Sequence, residues 1–205
     1  SNDSMKKICL PKKFKLQPSQ KFLADYFTSK NIHPGLLVYH KIGAGKTCSA
    51  INVSEKLKKK MKIMVVLPAA LKGGFRDELR SECTDETYLT KKQRKRLLKL
   101  KPSDNQFKKI IQYSNKIIDR YYTIYSYHTF VALAKLNKIN LDNHFLIIDE
   151  VQNMISMTGT FYANLKKSVD KAKNLKILLL SATPMFDKPV EIALTLNLLK
   201  PKKPL

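Results

Sequence analysis

Tryptophan is missing from the 205 residues, glycine occurs six times, proline nine times and cysteine three times. So little glycine and proline, with no repeating period, excludes collagen-like, linker-like and solenoid architectures. Three cysteines, Cys9, Cys48 and Cys83, cannot complete a disulfide framework, and a chain of this length does not need one. The expectation is therefore a reducing, intracellular setting. Long apolar runs are also lacking: stretches such as 145–148 and 177–180 fall far short of the roughly 18 residues that a membrane span requires, so no membrane partner is expected. The opening SNDSMKKICLPKK has too few apolar residues before Pro11 for a secretory h-region. Its start at Ser1 reads as a scar or processed end before Met5, and residues 1–4 are set aside. Acids are scarce as well, 16 against 39 Lys and Arg, for a net charge of +23.

What is present argues for one folded α/β domain. A hydrophobic content of 43% is ample for a core and rules against disorder despite the charge. The positive field makes nucleic acid the first suspected partner, because each neutralised phosphate releases a counterion. A compositional bias is the competing explanation, since five of the cations are arginine and the other 34 lysine. Five short apolar runs, 36–39, 63–67, 121–125, 145–148 and 177–180, have the near-continuous character of buried parallel strands. Helix-like stretches at 47–60 and 161–171 alternate with them, the pattern of a mostly parallel sheet with helices on both faces. Residues 81–120 form a basic insertion, with 11 cations against two acids from Lys91 to Arg120, and Leu97, Leu98 and Leu100 are candidates to seat it. A solvated charged face, an RNA-binding face and a membrane-surface helix all remain open for it. The tail reads as a helix, EIALTLNLL, stopped by Pro201.

The segment HKIGAGKTCSA, residues 40–50, follows the first apolar run and opens a helix-like stretch, the context of a phosphate-binding loop. Gly43, Ala44, Gly45 and the main chain through Cys48 can wrap phosphates. Lys46 can reach the β and γ oxygens, and the Thr47 hydroxyl can ligate Mg²⁺. The first glycine of the usual G-x-x-x-x-G-K-[ST] pattern is replaced by His40. FLIIDEVQNM, residues 145–154, is an apolar strand ending in two acids: Asp149 suits Mg²⁺, and Glu150 suits the orientation or deprotonation of water. ILLLSATP, residues 177–184, is a third strand running into Ser181, Ala182 and Thr183. Cys48 is read as a small buried thiol, and His40 as a strand-end residue. The cysteines and histidines show no metal-ligand spacing, so Mg²⁺ is the one metal expected.

The order G-x-G-K-T, D-E-x-Q, S-A-T resembles motifs I, II and III of the superfamily 2 helicases and translocases. The resemblance covers most of the chain and implies a RecA-like P-loop domain that binds ATP and Mg²⁺, with Lys46 and Glu150 catalytic. It further implies coupling through Gln152, Ser181, Ala182 and Thr183. Upstream, LQPSQKFLADYF resembles the glutamine motif, which places Gln20 at the adenine, where a side-chain amide can act as donor and acceptor. MVVLPAALKGGFRDEL resembles motif Ia, implying nucleic-acid contacts from Pro68, Leu71 and Lys72. IYSYHTF resembles the segment beside motif Ib, implying contacts from Ser126 and Tyr127. D-E-V-Q, P-A-A-L and S-A-T-P-M are closest in style to remodelling-type translocases and to the transcription-associated nucleoside triphosphatases of large DNA viruses. DEAD-box enzymes carry Ala-Asp where Val151 and Gln152 stand, so directional translocation is implied more than strand separation.

The resulting layout is an extension over 1–15, a RecA-like domain over 16–199 and a linker over 200–205 leading to a second RecA-like lobe. No arginine lies in the pattern of the family's arginine fingers, so ATP turnover by these residues alone should be poor. Transcription machinery is a further implied partner. The implied location is a viral cytoplasmic replication site or virion if the chain is viral, and otherwise the nucleus or cytoplasm. A P-loop small-molecule kinase and a non-hydrolysing nucleic-acid-binding module are the rivals. A GTPase is disfavoured because Asn115-Lys116 is not followed by the guanine-reading aspartate at the required spacing.

Overall fold

The apolar runs form one parallel sheet in the computed structural model, which describes residues 18–28, 34–39, 45–156, 159–182 and 189–199. The expected extension over 1–15 and linker over 200–205 lie outside the described residues, as do His40, Gly43, Ala44 and Thr183. In chain order the first elements are helix α1 (Pro18–Thr28), strand β1 (Gly35–Tyr39), α2 (Lys46–Leu57) and β2 (Lys62–Leu67). A 3₁₀ turn (Ala69–Leu71), α3 (Lys72–Leu79), a second 3₁₀ turn (Glu82–Thr84), α4 (Lys91–Leu97) and α5 (Asn105–Ile118) follow. The remainder is β3 (Tyr122–Ser126), α6 (Tyr127–Lys135), β4 (His144–Ile148), α7 (Val151–Ser156), α8 (Gly159–Lys171), β5 (Lys176–Ser181) and α9 (Pro189–Leu199). The sheet order is β1-β5-β4-β2-β3, and every pairing is parallel.

Strand side chains alternate between faces, so each apolar run feeds two cores. Ile63, Val65 and Leu67 of β2, with Phe145 and Ile147 of β4, pack beneath α1, α2 and α3. Met64 and Val66, with Leu146 and Ile148, pack against α6, α7, α8 and α9. These strand positions are almost wholly buried, and each large aliphatic side chain removed from water contributes about 1.5–3 kcal/mol. Among the described residues no helix is long and apolar enough to cross a membrane.

Gly35 is required by a close approach, since a Cβ there would lie 2.9 Å from Leu199 Cδ2 and 3.1 Å from Leu199 Cα. It lets α9 rest directly on the start of β1.

The basic segment 81–120 is more firmly attached than a solvated insertion. Arg80, itself buried, donates from Nε to Ser114 Oγ (3.1 Å) and from Nη1 to Asp77 (2.9 Å), and Arg76 bonds Asn115 (3.1 Å) and Asp119 (2.6 Å), so α3 is stapled to α5. Arg94 Nη1 donates to the carbonyls of Arg80, Ser81 and Asp85, and Arg96 bonds Gln106. Leu97 and Leu100 are half-buried as expected, but Leu98 is 88% exposed and does not seat the segment.

Candidate ATP and nucleic-acid site

Parallel strands end together, so the sheet brings the ends of β4 and β5 to one edge, next to the start of α2. Gly45 stands at the N-cap of α2 with φ 71°, a left-handed backbone that glycine adopts without steric cost. The α2 N-terminus therefore follows directly from the loop, with its free N–H groups available to an anion. Gln20 is buried beside it: a Cβ on Gly45 would lie 3.4 Å from Gln20 Nε2.

Lys46 Nζ is hydrogen-bonded to Glu150 Oε1 and lies 3.2 Å from Asp149 Oδ1. Gln152 Nε2 donates to Glu150 Oε2 at 2.5 Å, and Ser181 Oγ donates to Gln152 Oε1 at 2.9 Å. The Ala182 main-chain N–H also bonds the Glu150 carboxylate. A continuous polar chain thus runs from Lys46 through Glu150 and Gln152 to Ser181. Thr47 lies one residue beyond Lys46 in the first turn of α2 and is half-buried.

The two acids titrate in opposite directions. Burial raises Asp149 above the ordinary aspartate range, against the opposing pull of Lys46. Burial pushes the Glu150 carboxyl up too, but hydrogen bonds from Lys46 and Gln152 and the Lys46 charge outweigh it and leave Glu150 below the ordinary range. Glu150 also has φ 52°, unusual for a residue with a Cβ.

Tyr127 corrects the sequence expectation. Its side chain is buried, and its hydroxyl donates to the carbonyl of Asp149 and, at 2.8 Å, to that of Glu150. It therefore holds the strand-to-helix corner where Glu150 sits, and its side chain is committed inside the fold. Ser126 is also buried, and its Oγ caps α6 by accepting from the Thr129 N–H, so its side chain is committed inside the fold. Pro68, Leu71 and Lys72 stand at the carboxyl end of β2, with Leu71 40% exposed and Pro68 and Lys72 half-buried.

Cys48 is the second correction. It forms a disulfide with Cys83, with the Cα atoms 5.8 Å apart, and is not a free thiol. The bridge ties the first turn of α2 to the 3₁₀ turn before α4, and Asn52 Nδ2 bonds the Cys48 carbonyl at 2.9 Å beside it. No sequence signal announced this pair, because a sequence separation of 35 hides the contact. Tyr127 was visible as a residue but not as a clamp, since a hydroxyl aimed at main-chain carbonyls leaves no mark in spacing.

A family model described as "Type III restriction enzyme, res subunit" matches residues 13–186. The chain belongs to that family. A protein of Acanthamoeba polyphaga mimivirus named "Putative ATP-dependent RNA helicase" is 55% identical over 98% of this chain, which spans 35% of that relative's length. The "Termination factor NPH-I homolog" of African swine fever virus is 25% identical over 80% of the chain and 22% of its own length. The Sulfolobus solfataricus SWI2/SNF2 ATPase core, solved in complex with dsDNA, has the same fold, with a TM-score of 0.60 at 20% identity over 93% of this chain and 36% of that one. The Pyrococcus furiosus Hef helicase domain superposes with a TM-score of 0.59 at 17% identity, over 92% of this chain and 37% of its own. The fold is therefore the first RecA-like lobe of a superfamily 2 helicase core.

Proposed function

We propose that this res-subunit chain is the ATP-binding lobe of a nucleic-acid translocase or helicase, and that ATP hydrolysis is completed by a second RecA-like lobe. The observation that carries the reading is the polar chain Lys46–Glu150–Gln152–Ser181, which links the P-loop lysine to the ends of β4 and β5. In it, Lys46 exchanges its two carboxylates for the β and γ oxygens of ATP when nucleotide enters. Glu150, released and ionised at neutral pH, orients and deprotonates the attacking water. Gln152, Ser181 and Ala182 carry the state of Glu150 to the end of β5, with Thr183 beyond it.

The Thr47 hydroxyl and the Asp149 carboxylate are the hard oxygen donors that suit Mg²⁺. When bound, Mg²⁺ supplies positive charge to the β and γ oxygens. Gly43, Ala44, Gly45 and the α2 N-terminus hold the phosphates, and Gln20 lies beside them on the way to the base. Cys48 supports this turn through its bridge to Cys83. The track passes the ends of β2 and β3, where Leu71 and Lys72 are accessible. The name of the African swine fever virus relative, a termination factor homolog, supports a transcription role, and the viral source of the relatives supports an infected cell as its setting, for which a cytoplasmic replication site or the virion is our reading.

The test is ATP turnover by the full-length protein with and without duplex DNA, single-stranded DNA and RNA. We expect stimulation by one of these, with Lys46→Ala losing nucleotide binding and Glu150→Gln retaining it while losing at least about a hundredfold in kcat. Phosphate transfer to a small acceptor instead of water would favour a kinase. Nucleic-acid binding that is indifferent to all these changes would leave only a binding module.

A further inference from the structure

Helices α3, α4 and α5 enclose a groove of about 650 Å³ on the outer side of the basic segment, a volume in the range of pockets that take ligand-sized groups. Its floor is apolar: Leu89, Leu97, Leu98, Phe107 and Ile111 line it. Leu89 is buried, whereas Leu98 stands 88% exposed at the lip. Helix α5 explains the trough. Its apolar side chains recur at 107, 110, 111, 117 and 118, a stripe at helical spacing in which the small Ser114 takes one place, but among the described residues only its Ser114 and Ile118 end is fully covered by the body. The Phe107 and Ile111 end therefore faces the groove.

The groove also holds a donor without an acceptor. Arg94 lines it; its Nη1 is engaged with three carbonyls, while its Nη2 is shielded from solvent and finds no hydrogen-bond partner among the described residues. A buried guanidinium N–H left unpaired is costly, and a carboxylate that shifts the Arg94 side chain on entering the groove would satisfy it with a charge-assisted bond. Lys91 and Lys95 stand at the same rim, and they belong to the segment with 11 cations against two acids. Of the acids lining the groove, Asp77 is already paired with Arg80 and Glu82 is exposed.

We propose that this groove docks a short acidic segment of a partner protein, with apolar side chains seated between α4 and α5 and a carboxylate on Arg94. Charge decides among occupants. The segments flanking the described residues, 1–17 and 200–205, carry lysines at 6, 7, 12, 13, 15, 200, 202 and 203 against Asp3 alone, so they are repelled by this rim. A second copy at +23 is repelled for the same reason. Nucleic acid matches the rim but not the floor, because a phosphate backbone gains nothing from a trough of Leu, Phe and Ile, whereas an acidic amphipathic helix satisfies both. The proposal does not depend on the ATPase reading.

The experiment measures fluorescence anisotropy of a labelled peptide with leucines at helical spacing and glutamates between them, against a charge-matched peptide with serine in place of leucine. The full chain and its Leu98→Ser variant are compared, with single-stranded RNA and duplex DNA as competitors. We expect the leucine peptide to bind at least about tenfold more tightly than the serine peptide, and Leu98→Ser to erase about tenfold of that affinity. Circular dichroism should be unchanged, because Leu98 is solvent-exposed. Equal binding of the two peptides, or an unaffected Leu98→Ser variant, overturns the proposal by reducing the groove to a general electrostatic field. A Leu98→Ser variant that weakens RNA or DNA binding by as much as peptide binding also overturns it and assigns the surface to nucleic acid.

Discussion

Lys46 Nζ faces the side-chain oxygens of Asp149 and Glu150, and the carbonyls behind those two acids are both held by one hydroxyl, that of Tyr127. The clamp matters because Glu150 is in a left-handed backbone conformation that its own Cβ disfavours. Tyr127→Phe keeps the ring in the core and removes only the two bonds. Leaving a buried carbonyl unpaired costs about 1–3 kcal/mol. The Asn153 N–H still bonds the Glu150 carbonyl at 2.9 Å, so the Asp149 carbonyl bears most of the loss. We expect kcat of the full-length enzyme to fall about tenfold, with nucleotide affinity within about twofold of wild type. A steady-state ATPase titration beside a nucleotide-binding isotherm separates the two, and an equal loss in both would show that the hydroxyl is not acting through Glu150.

Elements carry the next level of constraint. The Cys48–Cys83 bridge joins α2, which begins at the phosphate loop, to the turn that launches the basic segment. Closing a loop with a sequence separation of 35 restricts the unfolded chain by roughly 3–5 kcal/mol on the loop-entropy account. Alkylation of these 205 residues in the folded state should modify at most one cysteine before reduction and three after it, and reductant should lower the urea midpoint. Modification of all three without reductant would show the pair to be thiols in solution.

Strand β4 contributes a pH effect. His144 at its start is buried, and burial holds its pKa below the ordinary 6.5, aided by the Lys62 charge and opposed by the carbonyl and charge of Asp142. Above 6.5 the folded and unfolded states are both neutral at this site. Below it the unfolded chain takes up the proton first, so stability falls as pH drops from 6.5 toward the lower folded value. Urea midpoints at about pH 7.5 and about pH 5.5 should differ less in His144→Gln than in wild type. An unchanged difference would place the acid sensitivity elsewhere.

For the molecule as a whole, the arginines bear on turnover. Arg76, Arg80, Arg94 and Arg96 are all engaged in holding the basic segment together. None of these four is placed to meet a γ-phosphate, and an arginine finger is worth a factor of about 10³ or more in phosphoryl transfer. The 205 residues alone should therefore bind ATP weakly and turn it over at least about a thousandfold more slowly than the full-length protein. Robust saturable hydrolysis by the isolated lobe, abolished in Lys46→Ala, would refute the need for a second lobe.

Much of this was legible without coordinates, for reasons that differ by element. The five strands read as apolar runs because parallel strands are buried on both faces, and their observed bounds lie within one residue of the runs. Lys46, Asp149 and Glu150 were legible because phosphate and carboxylate chemistry demands those residue types beside strand ends, and Gln152 and Ser181 only through the family resemblance; the structure brings all five together, so that here spacing along the chain and position in the fold coincide. That coincidence failed at Tyr127 and Ser126. Ser126 ends β3 and Tyr127 follows it, but Tyr127 turns inward to main-chain carbonyls and Ser126 to a helix cap. It failed again at Leu98, where a leucine that pattern would seat on the body points into solvent beside an open groove. The sequence by itself determined the α/β class, the strands and the phosphate chemistry, because burial periodicity and local motif chemistry act over a few residues. Only the tertiary structure decided that Cys48 meets Cys83, that Tyr127 clamps the acidic corner, and that Arg94 Nη2 has no hydrogen-bond partner among the described residues. The first two are contacts between segments far apart in the chain, set by how helices lie across the sheet and not by any neighbour in sequence, and the third depends on how the turn before α4 folds over the guanidinium.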